Sequence, residues 1–104
     1  MTLEATPRAS IIAYLKTVPK LYYRAIAGNH FQSGIPDILV CYRGLWIALE
    51  IKGPDGSLRP GQKINIRQIR KAGGIGEPVR TVAKVKLILE TVREGRTWEN
   101  TDIN

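Results

Sequence analysis

One segment of this chain constrains the fold more than any other: residues 34–56, GIPDILVCYRGLWIALEIKGPDG, write two hydrophobic strands separated by two residues. Residues 35–42 and 45–52 are rich in β-branched, aromatic and other apolar side chains, and Arg43-Gly44 between them is a connection of hairpin length. A two-residue turn fixes the register, so Tyr42 opposes Leu45 and, counting outward, Asp37 opposes Glu50. Side chains alternate across a strand, which puts Glu50 and Lys52 on one face with Asp37 and sends Leu49 and Ile51 to the other. Directly opposed residues have Cβ atoms only ~5 Å apart, where two ionised carboxylates repel unless a cation lies between them.

A divalent ion is the natural cation for such a pair. Carboxylate oxygens suit Mg²⁺ or Mn²⁺, and the backbone carbonyl of Ile51 offers a third protein ligand beside Asp37 and Glu50. Lys52 then projects next to the ion, where it steadies an attacking water or the negative charge growing on a phosphate. The bland alternative is an exposed Glu50–Lys52 ion pair worth ~0–1 kcal/mol, with Asp37 merely following Pro36 in a turn.

Composition narrows the partners. The chain has 16 Lys and Arg against 9 Asp and Glu, a formal net charge of +7 that favours a polyanion, either nucleic acid or an acidic membrane surface. With a single cysteine, Cys41, and a single histidine, His30, the chain can assemble neither a disulfide framework nor a Cys/His zinc cage, so any metal is a hard, oxygen-ligated one. Cys41 reads as a small buried residue of a hydrophobic strand, and His30 as a surface residue in a loop. No signal peptide or membrane span is expected, since Arg8 and Lys16 break up the N-terminal apolar residues. The expected setting is the cytoplasm.

Across its 104 residues the chain reads as one domain over residues 1–95 followed by a tail at 96–104. Ile11, Ile12, Leu15 and Val18 recur at helical spacing, which predicts a first helix over residues 3–18 with Pro7 in its first turn. Residues 21–28 suit a first strand. After the hairpin and the turn GPDGS, a second helix is predicted from Pro60 to Ala72, stopping at Gly73-Gly74. Residues 77–82 suit a short last strand, and Val85, Ile88, Leu89 and Val92 mark a third helix. The order helix, three strands, helix, strand, helix predicts a small α/β fold, a sheet flanked by helices.

The run GIPDILV, then ALEIKGPDGSLRPGQ, then AGG before a strand, resembles the VRR-NUC (virus-type replication-repair nuclease) family of the PD-(D/E)XK superfamily. The resemblance covers nearly the whole chain: Gly34, Pro36 and Asp37 match the family's second-strand motif, Glu50 and Lys52 its Glu-x-Lys, Gln62 the glutamine of the following helix, and Glu4 a first-helix glutamate. It implies a restriction-endonuclease-like core with a mixed sheet, and a Mg²⁺- or Mn²⁺-dependent DNA nuclease. It further implies that Asp37, Glu50 and the Ile51 carbonyl hold the metal, that Lys52 serves the attack, and that Gln62 orients groups at the edge of the site. Gln62 also has a purely structural use, as a cap of its own helix. Pro7 and Arg59 depart from the family pattern, the one near Glu4 and the other where a capping Ser or Thr is usual.

Lys63, Arg67 and Arg70 recur at steps of four and three, a basic stripe suited to carrying a phosphate backbone, and Lys16, Lys20 and Arg24 form a second basic cluster. Tyr22, Tyr23 and Trp46 read as core or sheet-face packing ahead of base stacking. The expected activity is cleavage of branched DNA, such as flaps or four-way junctions, with a non-catalytic nucleic-acid-binding module as the alternative. A homodimer is expected, because symmetric junction cleavage needs two sites and because Trp98, Tyr22, Tyr23 and the third helix offer apolar surface to spare.

Overall fold

The computed structural model describes residues 6–26 and 35–103, so Glu4, His30 and Gly34 lie outside the described residues. Helix α1 (Pro7–Leu15) is followed by β1 (Leu21–Ala25), β2 (Ile38–Tyr42), β3 (Leu45–Ile51), α2 (Pro60–Lys71), β4 (Ile75–Val79) and α3 (Val82–Arg93). The element order is the expected one. The strands form a single mixed sheet, β1-β2-β3-β4, antiparallel throughout except that β4 runs parallel to β3.

The hairpin turn has the geometry its length demands. Arg43 and Gly44 both have positive φ, 52° and 79°, as a type I′ turn requires at its two central positions. Arg43 takes up the left-handed conformation that an asparagine more often supplies, and Tyr42 pairs with Leu45 as expected. Helix α1 begins later than the apolar spacing suggested, at Pro7. Thr6 is its N-cap, its hydroxyl accepting from the Ala9 amide at 3.1 Å, and Pro7 occupies the first helical position, where no amide is needed. The last strand also differs from expectation, starting at Ile75 and ending at Val79. Thr81 leaves the strand to cap α3 through the Lys84 amide.

The two faces of the sheet have different covers. Ile38, Val40, Tyr42, Ile47, Leu49, Ile75 and Val79 form the main core with Ile11 and Leu15 of α1 and Val85, Ile88, Leu89 and Val92 of α3. On the opposite face α2 packs over β3 and β4. Gly76 permits this close approach, because a Cβ there would sit 3.1 Å from the Ile66 carbonyl oxygen and 3.2 Å from its Cα.

Two sequence expectations are corrected by packing. Cys41 is exposed, since it lies on the α2 side of β2, where the helix does not reach. Trp98 is no loose apolar residue: it packs against the core, and its indole N–H donates to Glu77 Oε1 at 2.7 Å. Glu77 is fully buried and ion-paired with Arg70 at 3.1 Å and Lys84 at 3.3 Å. The Thr101 amide and hydroxyl also donate to it. Burial alone would push this carboxyl up, but the hydrogen bonds from Thr101 and Trp98 and the charge of Lys84 reverse that and hold it below the usual carboxylate range. The Glu77 cluster thereby clasps the tail to the edge of the sheet. Among the described residues no helix is long and apolar enough to cross a membrane.

Candidate metal and phosphate site

The site lies where the open end of the β2–β3 hairpin meets the first turn of α2. Ile38 pairs with Leu49, so one further step along the ladder sets Asp37 opposite Glu50, the register read from the turn. The core residues Ile38 and Leu49 face α1 and α3, which leaves Asp37 and Glu50 facing α2. Asp37 Oδ2 accepts from the Ile51 amide at 2.7 Å, locking the carboxylate against β3. Its other oxygen pairs with the exposed Arg59 guanidinium at 3.3 Å.

Gln62 joins these groups. Its side-chain Nε2 donates to Asp37 Oδ2 at 2.8 Å, to the Ile51 carbonyl at 3.2 Å and to Glu50 Oε2 at 3.4 Å. Its Oε1 accepts from the Arg59 amide at 2.8 Å, which caps α2. The structural and functional uses of Gln62 therefore coexist in one side chain. The amide oxygen caps the N-terminus of the helix, and the amide nitrogen gathers three oxygen atoms around a single point.

Glu50 is 1 % exposed, almost wholly enclosed. Burial pushes its carboxyl up to about 7, and the charge of Asp37 adds to the rise, while hydrogen bonds from Asn65 and Gln62 pull it partway back. Asn65 donates to Glu50 Oε1 at 2.6 Å and is itself buried. Sequence reasoning missed Asn65. Its signal was its place three residues after Gln62, on the same side of an amphipathic helix. Arg59, an unusual cap by its sequence position, pairs with Asp37, a contact that no local pattern signals.

Lys52 follows the end of β3, its amide donating to the Val79 carbonyl at 3.0 Å. It lines a pocket of about 170 Å³ with Lys63 of α2, Ser57, Pro78 and the tail residues Asp102 and Ile103. Arg80 fixes the loop beneath, donating to the carbonyls of Gly53 at 2.7 Å and Pro54 at 3.1 Å.

The basic residues do not act as one surface. Lys63 is half-buried beside Lys52, and Arg67 is exposed on α2. Arg70 departs from the expected stripe: it is turned to the sheet edge, where it donates to the Gly76 carbonyl at 2.9 Å and pairs with Glu77. Its periodicity was right, but a buried carboxylate within reach captures it. Lys16 and Lys20 are exposed in the connection between α1 and β1, and Arg24 is exposed on β1. Among the described residues no group of three or more His, Cys, Asp or Glu side chains could hold a metal, so the candidate donor set is two carboxylates and one backbone carbonyl.

Compared with known proteins, the chain matches no protein-family model, no curated protein and no solved structure.

Proposed function

We propose that this protein is a divalent-metal-dependent DNA nuclease of the PD-(D/E)XK type, in the VRR-NUC branch, acting on branched DNA. The observation that carries the reading is the meeting of Asp37 Oδ2, Glu50 Oε2 and the Ile51 carbonyl around the Gln62 amide nitrogen, within 2.8–3.4 Å. Three hard oxygen donors turned toward one positively polarised group form a donor set that fits Mg²⁺ or Mn²⁺.

Asp37, Glu50 and the Ile51 carbonyl would hold the ion. Bound there, it supplies a water of lowered pKa and polarises the scissile phosphate. The chain's own residues do the rest. Arg59 engages Asp37 Oδ1 and Asn65 engages Glu50 Oε1, so Asp37 Oδ2, steadied by the Ile51 amide, and Glu50 Oε2 are the oxygens directed at the same point. Lys52, the residue after Ile51, lines the pocket described above and would balance the charge that builds on the phosphate as water adds and the sugar oxygen leaves. Lys63 shares that pocket and serves as a contact for a neighbouring phosphate. Gln62 Nε2 competes with a cation for the same three oxygens, so Gln62 tunes access to the site as well as capping α2.

A homodimer remains part of this proposal, although Trp98 and Tyr23, both packed on the core, do not supply its interface. The test is an assay of linear, flap and four-way DNA with Mg²⁺ or Mn²⁺, with and without EDTA. The expected result is metal-dependent cutting, strongest on the branched substrates. A folded protein that cuts none of the three contradicts the proposal.

A further inference from the structure

The α2 side of the sheet is only half covered. Because Leu21 and Tyr23 of β1 pack on the main core, Tyr22 and Arg24 face the other way, and Trp46 and Cys41 do so for the same reason. The register sets Tyr22 opposite Cys41 and Cys41 opposite Trp46, a continuous cross-strand row. Tyr22 is 59 % exposed and Trp46 50 % exposed, and the thiol between them is open too. The next rung toward the site is Arg24, Leu39 and Ala48, and beyond it come Asp37 and Glu50. The packing of the core explains none of this exposure, since α2 stops at β3.

We infer that this row is a stacking platform for the unpaired bases of a nucleic-acid strand whose backbone enters the metal site. Two aromatic faces on β1 and β3, flanking Cys41 of β2 between them, are a sequence-tolerant surface for bases, and Arg24 supplies the phosphate contact beside them. None of these six residues carries a negative charge, and the net charge of +7 favours a polyanion over an apolar partner. Spacing fits as well. Cys41 is four residues along β2 from Asp37, ~13 Å, about four nucleotides at the stacked rise of ~3.4 Å. A paired duplex buries its base faces and gains nothing from such a surface. The inference rests on the nuclease reading only for what the platform delivers, and it narrows the substrate class to a strand that is single-stranded next to the cut, as in a flap or a frayed end.

As the chain's one cysteine, Cys41 is a built-in probe. Metal-free Glu50→Gln protein, chosen so that an oligonucleotide is not cut during the measurement, is treated with a thiol reagent alone, with saturating oligo-dT, and with a duplex of the same length. The expected results are rapid modification of the free protein, at least tenfold slowing by oligo-dT, and little slowing by the duplex. Tyr22→Ala and Trp46→Ala, both at exposed positions that leave the fold intact, should each weaken oligo-dT binding about tenfold, with little change for the duplex. Three results overturn the platform. One is equal modification with and without oligo-dT. Another is unchanged oligo-dT affinity in the double variant. The third is a free protein that sediments as a dimer with Cys41 already protected and becomes monomeric on Trp46→Ala, since a second copy then covers the face. The two readings fail separately. Cys41 protection in a protein that cuts no DNA sinks the nuclease and leaves the platform, whereas metal-dependent cutting without protection does the reverse.

Discussion

At the scale of single residues, Glu50 carries an electrostatic cost in the metal-free protein. Its carboxyl is held at about 7 by burial and by Asp37, against 4.5 in water, so the folded state binds a proton more readily than the unfolded chain does. The sign follows from that difference. Stability from the neutral carboxyl is fully present below pH 4.5 and is lost as pH rises toward 7. A shift of this size corresponds to roughly 3 kcal/mol. Denaturant melts without metal should show that decline between those two pH values, and Glu50→Gln should flatten it. An identical pH slope in the variant would mean that Glu50 is not the group responsible. The opposed pair Asp37 and Glu50 was legible because a two-residue turn leaves one register. Asn65 and Arg59 were not, because their contacts join α2 to the hairpin, and no local pattern encodes that docking.

At the scale of elements, α2 works as the lid of the site as well as a crossover between β3 and β4. It carries Gln62 and Asn65 over Glu50, and the depth at which it sits is set by Gly76 against the backbone of Ile66. A methyl group there meets backbone atoms that cannot turn aside, so the helix must shift. Gly76→Ala should cost about 1–3 kcal/mol in denaturant melts and loosen the hydrogen bonds from α2 to both carboxylates. An unchanged melt would show that the helix has room to spare. Most elements were readable from apolar periodicity and punctuation: Pro60 starts α2, and Gly73-Gly74 ends it. Capping accounts for two of the boundaries that moved, the start of α1 at Thr6 and the end of β4 before Thr81. Trp98 was misjudged because its partner, Glu77, lies on a distant strand and a buried acid is invisible to a hydropathy pattern.

At the scale of the whole molecule, the net charge of +7 and the proposed ion site at Asp37 and Glu50 call for the same kind of ligand, a polyanion. DNA affinity should fall steeply with salt, by ~0.9 log units in K per phosphate contact for each log unit of salt. Replacing Lys63 and Arg67 together should reduce that slope, whereas Arg70, engaged by Glu77, should contribute little beyond stability. An unchanged slope would put the DNA on another surface. Overall architecture was legible as helix, three strands, helix, strand, helix, but the uncovered half of the sheet was not, because strand alternation reveals two faces without saying how far a helix covers each. The proposed activity depends on Asp37 and Glu50 holding the ion that cuts. The most direct measurement is cleavage of an end-labelled flap substrate with Mn²⁺ by wild-type and Glu50→Gln proteins purified side by side. The predicted result is cutting by the wild type that EDTA abolishes, and at least a hundredfold less by the variant at equal DNA binding; undiminished cutting by Glu50→Gln would contradict the account.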